Sequence, residues 1–338
     1  RRLMAMDTRA AAARVLAEVL SGSSLNQALP RAIGLVSPRD RGLLQQLCYG
    51  SLRQGPRSLA LLQQLLDKPL RDKDRDITGL LLCGLYQLDN TRIPDHAAVA
   101  ATVGATRALK KNWAKGMSNA VLRRYLRERE ELTRALDEAA AAAHPEWLYR
   151  ELYRQWPEQA PQIIEANNLQ PPMTLRVNRR HNSRDDYLSR LKKQGIEATA
   201  GELCPEAITL EHARDLQELP GFAEGEVSVQ DEAAQFAAHL LAAQPGDRVL
   251  DACAAPGGKT CHILELQPEL AELVAMDADE QRVQKIADNL ERLQLSADLL
   301  CADATRPPPQ LTAGSFDRIL VDAPCSASGV IRRHPDVK

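Results

Sequence analysis

The sequence lacks several features that would quickly assign it to a compartment or a common binding fold. Its seven cysteines include no C-x-x-C pair, so no metal site is predicted, and an odd count without a framework favours a reducing cytoplasm. No apolar run approaches the roughly 20 residues that span a bilayer, and no signal peptide is visible. We therefore expect a cytoplasmic protein without membrane partners, long enough for roughly two or three domains.

The small net charge of −2 conceals an uneven distribution. Residues 1–145 contain 23 lysines and arginines against 14 aspartates and glutamates, whereas residues 146–338 contain 20 against 31. A basic half joined to an acidic half suggests a nucleic-acid-binding module beside a catalytic one, although an unevenly charged solvated surface would give the same counts.

The first 143 residues show helical spacing of apolar residues and no strand alternation. Helices are predicted at about 10–20, 40–52, 58–66, 77–88, 96–109 and 117–126, separated by proline and glycine turns. Clustered cations near Trp113 suit contacts with an RNA backbone and its bases, while pairing with nearby glutamates is the other interpretation. The candidate RNA-binding residues here are Arg107, Lys110, Lys111, Lys115 and Arg123.

Residues 144–225 show a different pattern, in which strands follow helices. Helical patterns at 147–155 and 160–167 precede Pro171-Pro172, after which strands at 173–178 and 207–210 flank a helix at 184–194. This predicts a small α+β unit that carries Arg176, Arg179 and Arg180 as candidate RNA contacts. A structural spacer is the alternative interpretation of the same unit.

From about residue 226, short strands alternate with helices, which predicts an open parallel sheet with its ligand at the carboxyl ends of the strands. The strands are expected at 249–250, 273–276, 298–301 and 318–321, and Asp279 is expected to cap the helix after the second of them. Each strand ends in, or leads into, an acid: Asp251, Asp277, Asp303 and Asp322.

A loop of small residues follows the first of these strands and leads into a helix near Lys259. Its glycines allow close approach of a ligand, and the helix start offers free N–H groups. Cys253 stands where a phosphate-binding P-loop needs glycine, and G-x-G-x-x-G is absent. The loop therefore favours a nucleoside ligand other than ATP or NAD, with Asp277 holding a ribose diol and Asp303 near the base. Surrounding carboxylates would also favour a cationic sulfonium.

The last strand leads into Asp322-Ala-Pro-Cys-Ser326, which places Cys325 at the same edge of the sheet. A lone cysteine is often only a small buried hydrophobe, but this position suits a reactive thiol.

Together, the segments 251–260 and 322–326 resemble the S-adenosylmethionine-dependent RNA cytosine-5 methyltransferases, and the segments 47–53, 93–99 and 117–123 resemble the helical, RNA-binding NusB domain. The whole chain is similar to the bacterial subgroup of that family that acts on 16S ribosomal RNA. The resemblance implies a multidomain fold with an all-α NusB-like domain (1–143), a small RNA-recognition-like α+β domain (144–225) and an α/β Rossmann-like methyltransferase core (226–338). It implies cofactor contacts for Cys253, Ala254, Ala255, Pro256, Gly257, Gly258, Lys259, Asp277, Asp303 and Asp322.

The implied reaction is methylation of cytosine C5 in naked or partly assembled 16S ribosomal RNA through a covalent cysteine–C6 adduct. From chemistry alone, Cys325 would be the nucleophile, Asp322 would hydrogen-bond the cytosine edge, and Lys259 would position the base or lower a thiol pKa. The target base must be unstacked to reach them.

The resemblance divides the cysteine chemistry differently. It assigns C6 attack to a second cysteine in a Thr-Cys-Ser or Thr-Cys-Asn motif, and it implies that Cys325 assists elimination. That motif is absent here, so we expect an incomplete core and an inactive or unstable 338-residue chain. Two other functions fit the sequence: a non-catalytic RNA-binding or ribosome-assembly factor that retains the fold, and a methyltransferase acting on a protein or small molecule.

Overall fold

A computed structural model describes residues 5–338, which form two compact units. The first unit combines the chain up to Pro171 with Ser326–Lys338, and the second comprises Pro172–Cys325. Within the described range, no helix is long and apolar enough to cross a membrane.

The first unit is helical, as the apolar spacing predicted. Its helices are α1 (Thr8–Leu20), α2 (Leu25–Ile33), α3 (Arg41–Arg53), α4 (Gly55–Leu65), α5 (Arg75–Asn90), α6 (Asp95–Ala108), α7 (Ala114–Arg134), α8 (Glu138–Ala141), α9 (Glu146–Gln155) and α10 (Ala160–Asn168).

Eight of these helices lie where the sequence predicted them, although α7 continues well beyond the predicted end. The sequence prediction missed α2 and α8. Pro30 lies inside α2 and interrupts the usual signal of a helix, and α8 is a single turn of four residues.

The alanine-rich helix α1 packs closely against α5. Ala10 to Ala13 are buried along one stretch of α1. At Gly79 of α5, a Cβ atom would lie only 2.6 Å from the backbone oxygen of Ala13. Small side chains on both helices therefore let the two backbones approach, and buried leucines from the other helices complete the core.

Residues 326–338 also pack on helices of the first unit. Ile331 is 1% exposed and joins the apolar cluster of α9 and α10. The carboxylate of Asp336 accepts a hydrogen bond of 2.9 Å from the backbone N–H of Leu25, the first residue of α2. An acid distant in sequence thus satisfies one of the N–H groups that a helix leaves unpaired at its amino end.

The second unit begins with a four-stranded antiparallel sheet in the order β2-β3-β1-β4, with the helix α11 packed on one of its faces. Its elements are β1 (Met173–Val177), α11 (Arg184–Lys193), β2 (Ala198–Ala200), β3 (Ala207–Leu210) and β4 (Val227–Val229). The sequence predicted β1, α11 and β3 but missed β2 and β4, which have three residues each and too little alternation to be recognised.

The rest of the second unit is a parallel sheet in the order β7-β6-β5-β8. Its elements are α12 (Glu232–Leu241), β5 (Arg248–Ala252), α13 (Gly258–Leu266), β6 (Glu272–Asp277), α14 (Glu280–Arg292), β7 (Asp298–Cys301) and β8 (Arg318–Val321). The chain proceeds from β5 outward to β6 and β7, and then places β8 on the other side of β5.

This order confirms the predicted α/β core and fixes its ligand edge. In open parallel sheets, ligands bind beyond the carboxyl end of the strand where the order reverses. That strand is β5, and the glycine-containing loop at 253–258 follows it directly.

Candidate active site

The loop after β5 is shaped by one tight turn. Gly257 has φ of +97°, which favours glycine, and its N–H donates to the oxygen of Ala254 at 2.7 Å. A Cβ atom on Gly257 would lie 3.0 Å from Cγ2 and 3.2 Å from Cα of Ile286 in α14. The turn therefore packs against α14 while α13 begins at Gly258, and no side chain of the N-cap residue Gly257 occupies the free N–H groups at the start of α13.

Asp277 ends β6 and is 3% exposed. One of its carboxylate oxygens accepts from the backbone N–H of Ala255 at 3.2 Å, and the other from that of Asp279 at 3.3 Å. The guanidinium of Arg282 lies 3.4 Å from Oδ2 of Asp277. These contacts fix the carboxylate beside the loop and leave lone pairs on both oxygens for a further donor. Asp279 caps α14 through Gln281 and Arg282, as predicted.

Asp251 is buried within β5, beneath the loop. Thr260 donates a hydrogen bond of 2.5 Å to Oδ2, whereas Oδ1 is buried without a hydrogen-bond partner among the described residues. Burial raises the pKa of Asp251 to about 6, against the opposing effects of Thr260 and Lys259. An unsatisfied carboxyl oxygen at this depth costs free energy, and a donor from a ligand would relieve that cost.

Lys259 and Asp322 connect the two segments that the sequence singled out. The ammonium of Lys259 lies 2.5 Å from Oδ2 of Asp322, across the ends of the adjacent strands β5 and β8. The lysine side chain is 21% exposed and that of Asp322 is 57% exposed. Cys325 is exposed three residues further along.

The other predicted site residues differ in their surroundings. Cys253 is half-buried with φ of +62°, and burial raises the pKa of its thiol, which disfavours a reactive thiolate. Asp303 is exposed beyond β7, where the N–H and hydroxyl of Thr305 hydrogen-bond its carboxylate and lower its pKa. Asp303 thus forms a local turn, in contrast to the buried Asp277.

Of the predicted RNA contacts in the first unit, Arg107, Lys110, Lys115 and Arg123 are exposed on or beside α6 and α7. Trp113, in the same stretch, is 57% exposed. Lys111 differs from them, because its ammonium pairs with Asp74 at 2.9 Å and Asp76 at 2.6 Å.

The prediction that Arg176 contacts RNA is wrong for this fold, since Arg176 is 1% exposed. Its guanidinium forms two hydrogen bonds with Glu265, of 2.7 and 2.9 Å, and donates to the oxygen of Gly258 at 2.8 Å. Side chains alternate along β1, so Arg176 lies on the other face of the antiparallel sheet from Leu175 and Val177. Helices α12 and α13 cover that face, and Arg176 is therefore buried there. Arg179 and Arg180, by contrast, are exposed.

Three family profiles match consecutive parts of the chain. Residues 6–127 match the NusB family, residues 144–217 match the ferredoxin-like domain of RsmF/B-like methyltransferases, and residues 238–338 match the family described as 16S rRNA methyltransferase RsmB/F. The antiparallel sheet of the second unit thus has a ferredoxin-like counterpart, and the parallel sheet a methyltransferase counterpart.

Relatives match nearly the whole chain. A protein of Pseudomonas putida named ribosomal RNA small subunit methyltransferase B is 55% identical, over 98% of this chain and 77% of the relative. A Vibrio cholerae protein of the same name is 50% identical, over 98% and 77%. The crystal structure of PH0851 matches the fold with a TM-score of 0.77 at 19% identity, over 99% of this chain and 78% of the other.

Proposed function

The chain belongs to the RsmB/F family of 16S rRNA methyltransferases, and from this membership we propose that it transfers a methyl group from S-adenosylmethionine to C5 of a cytosine in 16S ribosomal RNA. We propose that the transfer proceeds through a covalent cysteine–C6 adduct. Naked or partly assembled small-subunit RNA is the proposed acceptor, and residues 1–143, 144–225 and 226–338 are the proposed functional domains.

The residues at the carboxyl end of β5 fit a sulfonium nucleoside. Asp277 offers a fixed carboxylate for two adjacent ribose hydroxyls, as acids at this position do in related sheets. The loop 253–258 brings backbone groups to the ligand. The unsatisfied Oδ1 of Asp251 suits a cationic amino group. Asp303 and Asp322 are proposed to complete the contacts at either end of the pocket.

The observation that carries the proposal is the pairing of Lys259 with Asp322. It joins the loop that would hold the methyl donor to the segment that carries Cys325, so donor and acceptor would meet at one edge of the sheet. S-adenosylmethionine supplies an electrophilic methyl group when bound. Cytosine C5 is a weak nucleophile by itself. It can attack that methyl group once a thiolate of the protein adds to C6.

We assign Asp322 to the cytosine edge. Its side chain is more than half exposed, although it is paired with Lys259, and a carboxylate accepts readily from the exocyclic amino group of cytosine. Lys259 then holds Asp322 in place. We assign the two cysteine roles as the family resemblance implies: a second cysteine bonds C6, and Cys325 assists release of the product.

Cofactor binding tests the first part of the proposal. Titration calorimetry with S-adenosylmethionine should show saturable binding, and Asp277→Asn should weaken it by about 10-fold or more, since hydrogen bonds to a charged group contribute about 1.5–3 kcal/mol. Asp288→Asn, on the exposed side of α14, is the matched control. Equal affinities for both variants would contradict the assignment of Asp277.

Methyl transfer tests the second part. Labelled S-adenosylmethionine and 16S rRNA transcripts should yield 5-methylcytosine after nuclease digestion when the protein tested carries the second cysteine motif. In that protein, Cys325→Ser should still form the covalent adduct with 5-fluorocytosine RNA, because Cys325 is assigned to release. Methyl transfer by the 338 residues alone that Cys325→Ser abolishes would instead make Cys325 the nucleophile. Cofactor binding without transfer to any RNA would favour a non-catalytic assembly factor.

A further inference from the structure

A compact group of potential metal ligands lies in the second unit, built from three separate segments. Glu206 immediately precedes β3, His239 lies near the end of α12, and His262 lies within α13. One ligand atom from each of these residues lies within 4.8 Å of the others. No spacing rule could reveal this group, because its members come from distant parts of the sequence.

The three side chains are mostly withdrawn from water. Those of Glu206 and His262 are 1% and 0% exposed, and that of His239 is 29% exposed. Oε2 of Glu206 lies 2.9 Å from Nε2 of His239 and 3.9 Å from Nε2 of His262. A tetrahedral ion with bonds of about 2.0–2.1 Å holds its ligand atoms about 3.3 Å apart. The two observed distances bracket that value, so small side-chain movements would suffice.

His262 supplies an independent indication of a ligand. Both of its ring nitrogens are buried, and neither has a hydrogen-bond partner of normal geometry among the described residues. These nitrogens are therefore left unsatisfied at a cost in free energy, which a bound ion would relieve.

The surroundings also provide support for the carboxylate and a route for the ion. Arg179 lies 3.1 Å from Oε1 of Glu206, which orients the carboxylate and leaves Oε2 available. His239 and Arg179 also line a cavity of about 200 Å³. An ion could reach the group through this cavity, and water could occupy a fourth ligand position.

From this geometry we propose that Glu206, His239 and His262 form a binding site for Zn²⁺. Two imidazoles and one carboxylate are a known zinc ligand set, with a fourth position left to water. The earlier expectation of no metal site rested on the absence of paired cysteines, and a histidine-based site does not need them. The bound ion would join the antiparallel sheet to α12 and to α13, the helix that follows the cofactor loop.

The experiment compares metal binding in purified, chelator-treated protein. Wild type should bind one Zn²⁺ and melt at a higher temperature as the ion concentration rises. Co²⁺ should give a visible spectrum without sulfur-to-metal charge transfer, and Mg²⁺ should not compete, because imidazole suits transition metals. Neither measurement depends on methyl transfer.

Variants locate the site. His239→Gln should weaken Zn²⁺ binding by at least about 10-fold, since losing even an outer hydrogen-bond partner of a ligand costs about 10–100-fold, and Glu206→Gln should do the same. His212→Gln, on the surface of the same unit, should bind like wild type, and so should a Cys301→Ser/Cys325→Ser protein. Full affinity in His239→Gln, loss of binding in the cysteine variant, or no saturable binding by wild type would overturn the proposal. The last result would leave Glu206 as a buried carboxylate paired with His239 and Arg179.

Discussion

Replacing Arg176 by methionine should destabilise the second unit strongly. Arg176 and Glu265 are 1% and 2% exposed and share two hydrogen bonds. Methionine fills much of the same volume but leaves the carboxylate of Glu265 buried without its cation. The loss therefore consists mainly of the cost of an uncompensated buried charge.

The magnitude follows from comparable buried pairs. Removing one partner of such a pair costs about 3–5 kcal/mol. For a unit the size of Pro172–Cys325, each kcal/mol lowers the melting temperature by about 2–4 °C. The expected decrease is therefore about 6–20 °C.

The deficit should also depend on pH. Burial raises the pKa of Glu265 above its usual value of 4.5, and Arg176 opposes that rise. Without Arg176 the folded-state pKa rises further. A carboxyl whose pKa is raised by folding destabilises the protein only where it must ionise, so the penalty is absent below the unfolded pKa, grows as pH rises from the unfolded to the folded pKa, and is complete above it. The deficit should be smaller at about pH 5 than at about pH 8.

Thermal melting at both pH values measures the effect. Arg180→Met, a neighbouring exposed substitution, should change stability by less than about 0.5 kcal/mol. The double variant Arg176→Met/Glu265→Met should recover most of the loss, because it removes both charges. Melting of Arg176→Met at the temperature of Arg180→Met, or a deficit that shrinks as pH rises, would refute the reasoning.

Three further substitutions test the site and the RNA surface. Gly257→Ala should lower the melting temperature and the affinity for S-adenosylmethionine, because it places a Cβ 3.0 Å from Ile286 at a φ of +97°, a strain of about 1–3 kcal/mol; calorimetry and melting curves that match wild type would contradict this. Lys259→Met should change stability by less than about 1 kcal/mol, since the pair with Asp322 is partly exposed, yet it should reduce methyl transfer by a protein that carries the second cysteine motif, and full activity there would argue against the pair. Lys115→Gln should reduce the salt-dependence slope of RNA binding by about 0.7–0.9, whereas Lys111→Gln should leave it unchanged because Lys111 is already paired; equal slopes for both variants would remove the basis for distinguishing them.

The sequence predicted the parallel sheet and its ligand edge because the signals there are local. Apolar strands end in acids, and a glycine turn leads directly into a helix. The segments 298–301 and 318–321 begin and end where the strands β7 and β8 do. Short elements such as β2 depend on their partners for definition, and no local pattern indicated them.

The burial and the pairing of individual side chains could not be predicted from the sequence in the same way. Asp251 and Asp303 hold corresponding places in the pattern, yet Asp251 is buried with one oxygen that has no partner among residues 5–338, and Asp303 forms an exposed turn. Arg176 belongs to a run of cations, but two helices from a later part of the chain cover it. Depth and pairing of this kind are set by tertiary packing, which residue type and spacing do not encode.

The bond between Asp336 and Leu25 has a consequence for the order in which the protein is made. Its two residues are 311 positions apart, and translation adds about 5–20 residues per second. The acid therefore leaves the ribosome about 15–60 s after the helix end that it caps. During that interval α2 exists without this partner, while the whole second unit is being synthesised between them. The contact between α2 and Asp336 thus forms only after the second unit has been synthesised, and until then the amino end of α2 in a nascent chain lacks this cap.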